Sequence, residues 1–482
     1  MKVKLKKILP WLVLLLVISG LTTWYLLSRR VSEAERSSYD ETIKSAELSF
    51  NAREYSEAIN QYYEATGVIP QELTAYQGIV KILLLKNRVD QAVAITREST
   101  RALSSVNRSQ LYKTIGDYYY ENNDYHKAKD MYQEGLSLGV INPDAEFALG
   151  KALVNIGRIE EGKKQIEGNS YEGDSAVEAN LVLSYIYALK DIEKAKSQIG
   201  SMTASGKWNP YYDEFDTVLK SLDDDKKFNA TKLSRIYLNS NYPHLALNIL
   251  KTVEEEITEY VEGMYYIGLA YLQANQYDKA IEYFDKASSL GGMEMQIFWG
   301  KARANYSKND FEGAINNYTK AIEFGGKDAP EELVREYIDI LLANKQNLKA
   351  ADTIKYLLVS QEKAYIYLLG VEVNNQIGER AVVDFYNQQL GKLELTEEEQ
   401  KEYLYWRARL AIEDSDISGA NVLLEQLLSK DRYNPKYYLL LGMVKMKEND
   451  IVEAKSAFEK GVEYDNSNLI SEEALKLLSN LK

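Results

Sequence analysis

Few side chains in this sequence could run a reaction. There are two histidines, His126 and His244, and no cysteine. Thiolate nucleophiles, thiolate metal sites and disulfides are thereby excluded, and little is left for imidazole acid–base or zinc chemistry. Carboxylates cluster in three runs, Asp223-Asp224-Asp225, Glu254-Glu255-Glu256 and Glu397-Glu398-Glu399. The first could be imagined as a cation site, but no calcium-loop spacing surrounds it. All three read as solvated helix ends or faces. No Gly-rich phosphate loop closing on Lys-Ser or Lys-Thr occurs, nor His-Glu-x-x-His, nor Gly-x-Ser-x-Gly. The expectation is a protein that is not an enzyme and has no catalytic residues, no cofactor and no metal.

What remains is recognition by surface, and the elements that would shape that surface are repetitive. From Met264 to Gly292 the chain reads MYYIGLAYLQANQYDKAIEYFDKASSLGG. At 3.6 residues per turn this is two amphipathic helices with a break near Asn275-Gln276. Gly268 and Ala280 fall where the helices would cross, and Tyr271, Tyr277 and Phe284 fill the space around them. One such hairpin cannot bury its apolar face alone, so it needs neighbours of the same shape. The Ala280 position recurs at Ala314, and matching small residues pair up at Ala58 and Ala92, Ala128 and Gly162, and Ala420 and Ala454.

This pattern resembles the tetratricopeptide repeat family, whose unit is 34 residues long with small side chains at fixed crossing positions. The resemblance implies an all-α fold. It would be a right-handed α-solenoid of about twelve helix hairpins, preceded by one N-terminal transmembrane helix. Some units are irregular. The sixth reads Tyr237, Tyr242, Leu245 and Ile249 with Pro243 early in its second helix, and the tenth reads Leu369-Gly370, Ala381 and Phe385. Between Ala195 and Leu245 the spacing is too long for one repeat, and an added helix near Tyr212–Ser221 accounts for it. Thr396 before Glu397 reads as a capped helix start. The organisation expected is residues 1–7 a cytoplasmic basic tail, 8–27 a transmembrane signal anchor and 28–38 a linker. A repeat block over 39–204, an inserted helical segment over 205–230, a second block over 231–468 and a capping helix over 469–482 follow.

The anchor is read from Ile8–Leu27, an uncharged apolar run. At ~1.5 Å rise per residue it spans ~30 Å, the thickness of a bilayer core. Pro10 sits in its first turn, and Trp11 and Trp24-Tyr25 lie near its two ends. Lys2, Lys4, Lys6 and Lys7 precede it, which favours a cytoplasmic amino terminus and an extracytoplasmic array. A signal peptide cut near Ser19-Gly20 is the competing reading, although the apolar run continues past it without Ala-x-Ala. The formal net charge is −14. Beyond Arg30 the chain holds 52 basic and 72 acidic residues, so the array itself carries −20. That balance argues against nucleic acid.

In the family the first helices of successive repeats line the concave side. Carried onto this sequence, inward positions are Tyr265, Leu269 and Leu272, then Trp299, Arg303 and Tyr306, then Tyr405 and Arg409, then Leu439, Met443 and Met446. Aromatics and arginine dominate binding energy at interfaces, and methionine adapts to varied partners. The function expected is a membrane-anchored scaffold in a cell-envelope, secretion or polysaccharide-export assembly. Its partners would be proteins of that complex and, through residues 8–27, the lipid bilayer. The alternative is direct binding of a partly cationic polysaccharide in the groove.

Overall fold

Eleven times among the described residues, a short turn through the left-handed region folds one helix back onto the next. The computed structural model describes residues 31–204, 210–465 and 469–479. Among these residues there are 26 α-helices, two single-turn 3-10 segments and no strand. The helices form twelve hairpins, one added helix at Pro210–Lys220 and a last helix at Leu469–Ser479. The anchor expected at 8–27 lies outside the described residues. None of the described helices is long and apolar enough to cross a membrane. The chain forms two compact units, 1–111 and 112–482.

The first unit holds hairpins one (Glu33–Asn51 and Tyr55–Val68) and two (Leu73–Leu85 and Val89–Glu98). Its first helix starts at Glu33, so residues 33–38 are helical although the sequence reading gave them to a linker. The cause is a reciprocal cap: Ser32 Oγ accepts from the Glu35 N–H, while Glu35 accepts from the Ser32 N–H at 2.8 Å. Ala58 and Ala92 are fully buried at the helix crossings.

In the second unit the turn residue recurs in the left-handed region: Asn275 (φ 57°), Asn309 (φ 61°) and Asn449 (φ 62°), with Lys345, Gly378 and Ser415 between. Asparagine tolerates this conformation better than most residues. Asp310, Asp416 and Asp450 follow one residue later and accept from the backbone N–H three residues on, at 3.0 Å each. The fifth residue after each left-handed turn is a buried crossing position, as at Ala280, Ala314, Ala350, Ala420 and Ala454. This register corrects two units. In hairpin six the crossing residue is Ala246 instead of Leu245. In hairpin ten it is Val383, with Tyr386 beside it, while Ala381 and Phe385 face solvent. Hairpin ten turns on Gly378-Glu379 alone, one residue shorter than its neighbours.

The crossing in hairpin seven (Val261–Gln273 and Tyr277–Leu290) is built as its residue types demand. A Cβ on Gly268 would lie 2.7 Å from the Phe284 ring, and one on Gly300 in the next hairpin 2.5 Å from it. Phe284 is fully buried between the two bare glycine faces. The added helix Pro210–Lys220 joins the core instead of interrupting it. Tyr212 and Phe215 are buried, Phe215 lies 4.7 Å from Tyr185, and Tyr237 donates to the Tyr185 carbonyl at 3.0 Å. The turns of hairpins three and six also meet: Asn241 donates to Asn123 Oδ1 at 2.9 Å and to the Tyr125 hydroxyl at 2.7 Å. At the carboxyl end Ala474 of the last helix packs with Leu439 and Phe458, which covers the open end a stack of repeats leaves.

Candidate functional site

The first helices of hairpins seven to twelve carry the expected surface residues in register with their turns. Six residues before each left-handed turn stand Leu269, Arg303, Asp339, Glu372, Arg409 and Met443. The sequence reading named four of these and missed Asp339 and Glu372. Those two lie in hairpins nine and ten, where the spacing slips and a 34-residue ruler loses phase. The signal that could have found them is the turn itself, at Lys345 and Gly378.

A groove of about 1110 Å³ is lined by hairpins seven to ten together with Lys436 of hairpin twelve. Leu272, Arg303 and Tyr306 from the expected set reach it, joined by Glu336, Asp339 and Glu372. The other expected residues are placed differently. Tyr265 is half-buried against Tyr266 and Phe284, and burial pushes its hydroxyl up to about 12. Leu269, Met443 and Met446 pack partly against the core. Leu439 is 1% exposed, so it belongs to the interior. Tyr405 is buried and accepts from Arg409 Nη1 at 3.2 Å.

Trp299 and Arg303 converge on Glu336, which the sequence did not single out. Glu336 accepts from Trp299 Nε1 at 2.7 Å, from Arg303 Nη2 at 2.6 Å and from the Tyr318 hydroxyl at 2.9 Å. Arg303 Nε lies 3.1 Å from both Glu336 oxygens, its Nη2 also reaches Glu332 at 2.6 Å, and its guanidinium covers the Trp299 ring at 4.3 Å. Burial pushes the Glu336 carboxyl up, but the bonds from Arg303, Trp299 and Tyr318 outweigh it and hold the group below its ordinary value. One wall of the groove is therefore a satisfied, fixed network.

The opposite case holds further along. Burial raises the Glu372 carboxyl, and Glu402 and Asp339 add to the push against the pull of Lys436. Asp339 is also raised, by burial first and by Glu336, against the pull of Arg335 and Lys436, although it stays open to solvent. Tyr306 presents its ring at the rim, 52% exposed. The groove thus offers an aromatic anchor, apolar wall from Leu272, Ile340 and Leu342, and carboxylates crowded by their surroundings.

The acidic runs serve local structure. Asp225 caps Phe228 at 3.1 Å, Glu254 accepts from the Tyr283 hydroxyl, and Glu399 closes a reciprocal cap with Thr396. Among the described residues no three His, Asp or Glu side chains converge as metal ligands would.

Two family models described as tetratricopeptide repeat match this chain, over residues 261–291 and 435–468. The chain carries tetratricopeptide repeats. The matched segments are hairpins seven and twelve, which form the two ends of the helices lining the groove. The sequence matches no curated protein. Among solved structures it is similar to yeast Tom70, with 15% identity over 93% of this chain and 96% of that one and a TM-score of 0.35. It is similar to Pseudomonas aeruginosa pilF at 14% identity over 44% and 96% of the two chains, with a TM-score of 0.36. Against the APC/C hetero-tetramer Cut9–Hcn1 the identity is 14%, over 92% and 90% of the two chains, with a TM-score of 0.35.

Proposed function

We propose that this chain is a membrane-anchored scaffold that seats a segment of a protein partner in the groove lined by hairpins seven to ten and Lys436. Residues 8–27 hold it in a bilayer with the amino terminus cytoplasmic and the hairpins on the extracytoplasmic side. There it serves an envelope, secretion or polysaccharide-export assembly by binding, without a reaction of its own. The observation that carries the reading is the groove of about 1110 Å³ with an exposed aromatic, apolar wall and charged groups side by side, the mixture that protein interfaces use. Tetratricopeptide-repeat proteins in general bind protein partners. Lysines ahead of the apolar run support the orientation.

Trp299 weighs against the polysaccharide alternative. Its ring is covered by Arg303 and its N–H is taken by Glu336, so it is not a free platform for a sugar face. Added protease on spheroplasts tests the location: the array should be degraded while the cytoplasmic tail is spared. An array that stays intact until the membrane is lysed would overturn the placement.

A further inference from the structure

The occupant's chemistry can be narrowed, on the premise that the groove is a protein-binding site. The geometry points to a lysine- or arginine-bearing segment of the partner, its cation seated between Asp339 and Glu372 and an apolar neighbour against Tyr306. The argument is a charge account. The series six residues before the turns runs Arg303, Asp339, Glu372, Arg409. Both arginines are already tied: Arg303 to Glu336 and Glu332 at 2.6 Å each, and Arg409 to Glu473 at 3.0 Å. Arg335, on the same helix as Asp339, is held by Glu331 at 2.7 Å and by Glu402 at 3.7 Å.

The two acids between the arginines form no hydrogen bond or ion pair with any described residue. Lys436 also lines the groove, but it makes no ion pair among the described residues and points toward the Tyr405 ring at 5.7 Å. Lys436 and Arg335 both pull on the two carboxylates, but Arg335 is shared with Glu331 and Glu402, so the middle of the groove keeps an excess of negative charge, with Glu372 half-buried and Asp339 open to solvent. A cation arriving there gains attraction strengthened by the low local dielectric, and it relieves the crowding of both acids. An acidic segment would be repelled, and a neutral one would cover Glu372 without compensating it. Tyr306, 52% exposed, with Leu272 and Ile340 behind it, supplies the apolar contact such a segment needs beside its charge.

The test uses the full chain in detergent and a labelled short peptide of alternating leucine and lysine, followed by fluorescence anisotropy. Its Nε-acetylated counterpart and a glucosamine oligomer serve as competitors. The lysine peptide should bind, and acetylation should weaken it about tenfold or more, as should Asp339→Asn with Glu372→Gln. Glu255→Gln with Glu256→Gln, which removes as much charge from an exposed site, should leave binding unchanged. Equal losses in the two double variants would mean diffuse acidity and would overturn the assignment. Equal binding of lysine and acetyl-lysine peptides, both lost in Tyr306→Ala, would overturn the cation while the groove reading stands. If neither peptide binds, the groove reading falls with it. Stronger binding of the glucosamine oligomer would give the site to polysaccharide.

Discussion

Arg303 and Asp339 occupy the same place in consecutive hairpins, six residues before the left-handed turns at Asn309 and Lys345, yet their surroundings are opposite. The arginine is fixed by two carboxylates, whereas the aspartate has no ion-pair partner among the described residues. Position in the repeat therefore dictates where a side chain points, while its neighbours decide whether it is structural or free to bind.

Glu372 should show that freedom as a stability cost. Its folded-state pKa is raised, by burial first, so its contribution to stability is present at low pH and lost as pH rises through the folded value. Glu372→Gln should raise Tm by about 1–2 °C at pH 7 and leave it unchanged near pH 3.5. Thermal unfolding at the two pH values measures this, and an equal shift at both would contradict it.

The Arg303–Glu336 pair should behave as one unit. Glu336→Leu leaves Arg303 with Glu332 alone, takes the acceptor from the Trp299 N–H and the Tyr318 hydroxyl, and should cost about 1–3 kcal/mol. Arg303→Met in that background should recover part of it, because the half-paired charge is gone while the Trp299 N–H stays unpaired. Urea midpoints of the two single variants and the double variant close the cycle. Additive losses would contradict the coupling.

Gly268→Ala should cost about 1–3 kcal/mol. The new methyl meets the Phe284 ring, and Gly300 on the far side leaves that ring no room to retreat. Adding Phe284→Leu should restore part of the loss. A neutral Gly268→Ala in urea unfolding would remove the close approach.

His244 lies beside the turn of hairpin four, and burial, Lys251 and His126 in that order depress its pKa. Asp124 lines the cleft it shares with His126, and Lys279 lines a second cleft beside it. A depressed imidazole means that the unfolded chain binds more protons below its ordinary value of about 6.5, so stability falls as pH drops through that range. Wild type should lose more Tm than His244→Gln between pH 7.5 and 5.5. Parallel losses would show that other groups carry the acid sensitivity.

The hairpins were legible in the sequence because their packing is local and periodic. Gly268, Ala280 and Phe284 sit where spacing alone places them. Asp339 and Glu372 were not legible, because the spacing from turn to turn is 36 residues from Asn309 to Lys345 and 33 from Lys345 to Gly378, and a fixed period then misassigns the face. Glu336 was missed for a different reason. Its role comes from Trp299 and Arg303 of the preceding hairpin, a pairing between units that one repeat's pattern does not contain. The start of the first helix depended on one cap, Ser32 with Glu35, which composition does not reveal.

Site-specific photo-crosslinking in intact cells tests the central claim most directly. A crosslinker at position 306, 339 or 372 should trap one discrete protein partner, and one at 385, 422 or 452, exposed positions on second helices, should not. No adduct from the groove, or the same adducts from both sets of positions, would contradict a scaffold that works through this groove.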